Sequence, residues 1–164
     1  MRQFILLAVI SSMCLAADPT PSAWADEWKA EFQEDMYVPV AGKRRTFGTF
    51  WYSASKQAFR IERSDGGLDR YCGPSRFFKK EPCTQIVTKG TRYLYYPNDG
   101  YCCNCCNEEH GCGIVNADWT QQGVFQTKEI DDAGRTLNKF LVKGLQKNYY
   151  WEVDNADHTP YRLF

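Results

Sequence analysis

Five of the chain's eight cysteines fall within thirteen residues, Tyr101-Cys102-Cys103-Asn104-Cys105-Cys106-Asn107-Glu108-Glu109-His110-Gly111-Cys112-Gly113. No other feature limits the fold so strongly. Disulfide cross-linking and tetrahedral zinc binding compete for such a cluster, and the redox compartment decides between them. Cys102 with Cys105 and Cys103 with Cys106 both have the C-x-x-C spacing, with His110 and Cys112 close behind. In a reducing compartment that set would favour zinc.

The N-terminus points to an oxidising compartment. Met1-Arg2-Gln3 is a short basic start, an apolar run reaches Leu15, and Cys14-Leu15-Ala16 offers small residues at the −3 and −1 positions of a cleavage site, with a cut after Ala17 as the alternative. This order reads as a secretory signal peptide over residues 1–17, with Cys14 discarded. The run is shorter than the about 20 residues a membrane-spanning helix needs, so no transmembrane anchor is expected. The protein is expected to be secreted, or held in the lumen of the secretory pathway.

Seven cysteines then remain: Cys72, Cys83, Cys102, Cys103, Cys105, Cys106 and Cys112. They read as structural disulfides, three bridges with one thiol left over that could link two chains. Neighbouring cysteines such as Cys102 and Cys103 are poorly placed to bridge each other, because disulfide geometry wants Cα atoms about 5.5 Å apart. The cluster is therefore expected to reach outward to Cys72 and Cys83. Zinc, held by Cys102, Cys105, His110 and Cys112, is the alternative; otherwise no cofactor is implied.

Residues 18–27 read as a linker, and 28–164 as a single β-rich domain. Trp24, Trp28, Ala30, Phe32, Met36 and Val38 lie on even positions opposite Lys29, Glu31, Gln33 and Asp35, which is the period of a half-buried strand. Further strands are expected at Phe47–Ser53, around Phe59 and Ile61, at Leu68–Cys72, and in a tight hairpin from Gln85 to Tyr96 about Lys89-Gly90. Ile114, Val115 and Trp119 suggest a short buried return. A second hairpin spans Gly123 to Val142, followed by strands at Asn148–Val153 and from Tyr161 onward. That last strand has no closing partner in sequence, which suggests a paired edge or a longer natural chain. The fold class is all-β, mainly antiparallel, and stapled by disulfides: a meander, a barrel or a sandwich.

Several segments recur in one order: Gly48-Thr49-Phe50-Trp51-Tyr52, Phe59-Arg60-Ile61-Glu62-Arg63, Arg92-Tyr93-Leu94-Tyr95-Tyr96, Phe140 to Gly144, and Tyr149-Tyr150-Trp151-Glu152 before Pro160-Tyr161-Arg162. This order resembles secreted ependymin-related proteins and the bacterial lipoprotein-carrier half-barrels. The resemblance implies a curved sheet or open half-barrel wrapped around a hydrophobic cavity, with lipid or another apolar molecule as cargo. The cysteine cluster departs from it, and a lineage-specific secreted cysteine-rich family accounts for the same features.

Function follows from rings and charges. The formal net charge is zero, so electrostatic binding to nucleic acid or to an anionic membrane is not expected. Aromatic residues make up 15% of the chain, more than a small core requires. Trp51, Tyr52, Phe59, Tyr93, Tyr95, Tyr149 and Trp151 lie on expected strands and are the candidate lining of an aromatic concavity for a hydrophobic or lipid-like ligand. The alternative is an extracellular interaction or adhesion module that presents the cysteine-rich loop, with the odd thiol joining two chains. A zinc-binding or hydrolytic protein comes third. His110 and His158 sit in no catalytic motif, and Glu108 and Glu109 read as a solvated turn, so nothing in the sequence argues for an enzyme.

Overall fold

The computed structural model describes residues 17–38, 42–143 and 147–163. The segment read as a signal peptide lies outside them apart from Ala17, as do Cys14 and Phe164. Ten strands form two antiparallel sheets. Strands β1 (Glu27–Val38), β2 (Gly42–Ser53), β3 (Ala58–Arg63), β4 (Cys83–Thr88), β5 (Thr91–Tyr96) and β6 (Tyr101–Asn107) build a six-stranded sheet in chain order. Strands β7 (Val124–Ile130), β8 (Thr136–Lys143), β9 (Lys147–Val153) and β10 (Pro160–Leu163) build the other, again each beside its chain neighbour. Both sheets are open meanders, and neither closes into a barrel.

The turns are written locally. Between β4 and β5 only Lys89 and Gly90 intervene, with φ of 48° and 73°. Two positive φ angles in a row make the primed turn that matches strand twist, and glycine takes the second without a steric cost. In the β7–β8 turn, Asp131 Oδ1 accepts the backbone N–H of Ala133 and of Arg135, which is how an aspartate replaces ladder bonds at a bend.

Register places side chains on faces. Trp28, Tyr52, Phe59, Val87, Arg92 and Cys106 are successive cross-strand partners from β1 to β6, so they lie in one row on one face. Tyr52, Phe59 and Val87 meet Phe140, Val142 and Tyr150 of the second sheet in the main core. A second core under the other end of the large sheet contains Cys72, Cys83, Leu94 and Tyr96, with Tyr71 and Cys103 packed against it.

Four sequence expectations change. Residues 68–72 are not a strand but a turn into the short helix α1 (Cys72–Ser75). Asp69 Oδ1 accepts the backbone N–H of Tyr71 and Cys72, both at 2.9 Å, and this local bonding outcompetes a ladder. Trp24 precedes β1 instead of opening it, and Pro21 and Trp24 of the expected linker are buried. The return at Ile114 and Val115 is irregular, and Trp119 begins a short 3-10 turn to Gln122. Finally, the cysteine cluster is a strand, β6, for most of its length.

The disulfide expectation changes too. Cys72 and Cys83 bridge each other, with Cα atoms 6.3 Å apart, and do not reach the cluster. The Asp69 turn returns the chain to the start of β4, so the two cysteines already meet within ordinary disulfide geometry. Cys106 bridges Cys112 inside the cluster, with Cα atoms 5.8 Å apart. Cys102, Cys103 and Cys105 are free thiols, so the described residues carry two bridges where three were expected.

Candidate functional site: the tryptophan cluster and its open depression

The main core is built around a residue outside any strand. Trp24 makes edge contacts with Trp28, Tyr52 and Trp119 at centroid distances of 5.0, 5.3 and 5.4 Å. Such pairs add about 0.5–1.5 kcal/mol each beyond area burial. The backbone around it is pinned to the 117–123 segment and to the second sheet. Trp24 N–H donates to the Ala117 carbonyl at 2.8 Å, and the Thr120 hydroxyl donates to the Ser22 carbonyl at 2.6 Å. Ser22 N–H donates to Glu152 Oε2 at 3.4 Å. On the other side, Phe140 stacks on Tyr150 at 6.3 Å.

Polar tips inside this cluster are unevenly served. The Tyr52 hydroxyl donates to the Val115 carbonyl at 2.9 Å, and burial, with Asp26 and Asp118 nearby, pushes it up. Burial and the Glu152 carboxylate push the Tyr150 hydroxyl well up. The indole N–H groups of Trp24, Trp28 and Trp119, in contrast, are buried and meet no acceptor among the described residues. A buried indole donor ordinarily finds a partner.

An open depression of about 650 Å3 is lined by Lys29, Trp51, Arg60 and Ile86, which are successive cross-strand partners on one face of the large sheet, and by Trp28, Tyr52, Phe59 and Val87 of the adjacent inner row. Lys56 also lines it and pairs with Glu27 at 3.2 Å, while Arg60 pairs with Glu62. Lys29 and Arg60 sit over the Trp51 ring at 5.5 and 5.2 Å. The arrangement offers apolar area and cationic side chains, with the unpartnered Trp28 indole N–H buried beside it.

The seven predicted lining residues separate onto three surfaces. Tyr52 and Phe59 belong to the inter-sheet row, while alternation along β2 and β5 puts Trp51, Tyr93 and Tyr95 on the opposite face of the large sheet. Trp51, Tyr52 and Phe59 line the depression, and Tyr93 and Tyr95 do not. Tyr149 and Trp151 lie on the second sheet, opposite the side on which Tyr150 enters the core. There Trp151 donates from Nε1 to Glu129 Oε2 at 2.8 Å, with Lys139 and Arg162 over its ring at 4.9 and 5.4 Å. The Trp151 and Lys139 hydrogen bonds hold Glu129 below the usual carboxylate range.

Trp24, Trp28 and Trp119 were missed as site residues. A signal is present in the sequence: three of the five tryptophans lie outside the aromatic strand segments, and Trp24 follows closely on the Pro/Thr/Ser stretch at residues 19–22.

The zinc alternative does not assemble. The Cys112 sulfur is committed to Cys106, and among the described residues no three His, Cys, Asp or Glu side chains converge as metal ligands. Glu108, Glu109 and His110 form an exposed 3-10 turn. His158 lies beside the buried Glu152 carboxylate, 3.1 Å from Oε1. No helix among the described residues is long and apolar enough to cross a membrane. No protein-family model matches the chain, and no curated protein matches its sequence.

Proposed function

We propose that this is a secreted, non-catalytic protein that binds a hydrophobic or lipid-like molecule in the depression beside the tryptophan cluster. The observation that carries the reading is Trp28, which lines an open apolar depression while its indole N–H has no acceptor. A ligand tail would cover the part-exposed faces of Trp28, Trp51 and Ile86 and gain about 25 cal/mol per Å2 of apolar surface removed from water. Small shifts of Trp28 would turn its donor toward a ligand oxygen, and Lys29, Lys56 and Arg60 in the lining suit an anionic headgroup. The resemblance to lipid-carrying half-barrels points the same way, and the two disulfides suit an oxidising compartment.

The test is native mass spectrometry of protein from a secreting host, compared with the same sample denatured. Extra mass that leaves on denaturation and extracts into organic solvent is expected. A clean apo mass, together with no uptake of an apolar fluorescent probe, would refute the reading.

A second reading, an extracellular interaction module, is favoured by one separate observation: Cys102 and Cys105 are exposed thiols on a strand at the margin of its sheet.

A further inference from the structure

The two sheets have four edge strands, and three are protected against pairing with another chain. β1 carries Glu27, Lys29, Glu31, Glu34 and Asp35; β7 carries Lys128 and Glu129; β10 has four residues, including Pro160 and Arg162. Charge, proline and shortness are the usual means of blunting an edge. β6 has none of them. Its seven residues, Tyr-Cys-Cys-Asn-Cys-Cys-Asn, contain no charge and no proline.

Only one irregularity interrupts β6. Register against β5 runs Tyr96–Tyr101, Tyr95–Cys102, Leu94–Cys103 and Tyr93–Asn104, and then shifts so that Arg92 faces Cys106. Cys105 is the extra residue of that bulge, which twists the far end of the edge away. Tyr101 to Asn104 remain a regular, open edge. Within it Cys102 is exposed beside exposed Tyr95 on one face, while Cys103 packs against the second core on the other. The seven cysteines of the described residues are an odd number, so at least one has no partner among them.

We propose that β6 is an interface for a second copy of this chain, paired antiparallel about Cys102 so that Tyr101 faces Cys103 of the other copy, and locked by a disulfide between the two Cys102 residues. Identical strands pair antiparallel about a two-fold axis perpendicular to the sheet, so like faces meet and the assembly closes at two copies. On that axis the thiol on the open face meets its own counterpart. An uncharged edge offers a charged foreign partner no complementarity, whereas it fits itself. The covalent step consumes a low-molecular-weight disulfide such as oxidised glutathione. One Cys102 thiolate attacks it and releases one glutathione thiolate; the second copy's Cys102 thiolate attacks the mixed disulfide and releases the other. One interchain S–S bond forms, two protein thiols lose their protons, and two glutathione thiols carry away the electrons.

The experiment uses the full chain from a secreting host, refolded with oxidised glutathione, and reads light scattering and non-reducing gels. Wild type is expected at twice the monomer mass and as a covalent dimer. Cys102→Ser is expected to lose the covalent band while keeping the doubled mass at high concentration, and Cys105→Ser to keep both. Asn104→Lys puts a charge on the exposed open edge, the usual block to strand pairing, and is expected to lose both with unchanged circular dichroism. A wild-type monomer, or a covalent dimer that survives Cys102→Ser, overturns the proposal.

Discussion

The Glu152 carboxylate has none of its surface exposed, yet its Oε1 lies 3.1 Å from Nδ1 of His158, which is itself partly open to solvent. Burial raises this carboxyl above its ordinary value of 4.5, and Asp154 adds to the rise; Ser22 N–H and His158 oppose it. The folded chain therefore holds the Glu152 proton more tightly than the unfolded chain does. Its contribution is complete below the ordinary carboxylate range and is lost as pH rises through the folded value. Glu152→Gln removes that slope. Melting temperatures of variant and wild type are expected to converge at acid pH, with the variant gaining steadily toward pH 8. Parallel curves would show that Glu152 is not raised.

The two bridges differ in what they hold. Cys72–Cys83 closes eleven residues inside a buried core, whereas Cys106–Cys112 closes six at the end of an edge strand. Chain entropy alone assigns about 3 and about 2 kcal/mol respectively. Replacing Cys72 and Cys83 together by Ala also leaves space in a packed core, so its cost is expected to exceed that of the Cys106/Cys112 pair clearly. Chemical denaturation of both double variants checks this, and equal losses would count against the second core as a cooperative unit.

Gly48 cannot become alanine without backbone movement. A Cβ there would stand 1.9 Å from the Glu62 carbonyl and 2.6 Å from Cζ of Phe32. Phe32 lies across the glycine, and the Arg63 guanidinium covers the ring at 5.5 Å. Gly48→Ala is expected to lower stability by about 1–3 kcal/mol, the range for overpacking, despite alanine's lower conformational entropy cost. A neutral result in urea denaturation would mean that β2 and β3 separate easily at this point.

Trp24 and Trp151 are both buried, but Trp24 lies between the sheets and Trp151 on the far face of the second sheet. Trp24→Ala opens a hole between the sheets and is expected to cost about 3–5 kcal/mol. Apolar-probe affinity is expected to fall more for Trp119→Ala than for Trp151→Ala, reversing what strand position in the sequence suggests, because Trp119 packs in the tryptophan cluster and Trp151 lies on the far face. Fluorescence titration of the two variants decides it; a larger loss with Trp151→Ala would move the binding surface to the outside of the second sheet.

Strands and turns were legible where the signal is local. Alternation fixed β3 and β9, and Lys89-Gly90 fixed the β4–β5 hairpin nearly to the residue. What sequence could not reveal depends on distance in space. The pairing of Cys72 with Cys83 follows from the Asp69 turn, whose two backbone acceptances hide inside an apparently strand-like stretch. The separation of the seven rings follows from register, since Trp51 and Tyr52 are adjacent in sequence and on opposite faces in the sheet. Trp24 was the hardest to place, because its partners lie as far away as Ala117 and Trp119.

That distance has a kinetic consequence. Every strand pairs with its chain neighbour, so both sheets assemble from short-range hairpins that need little loop closure. The docking of residues 22–24 onto Ala117, Thr120 and Glu152 is the long-range step. During synthesis from the N-terminus, Trp24 can meet Trp28 and Tyr52 early, but its cover is completed only when Ala117, Trp119 and the residues beyond 150 have emerged. The first sheet must therefore persist with an open inner face for most of translation, and the tryptophan cluster closes last.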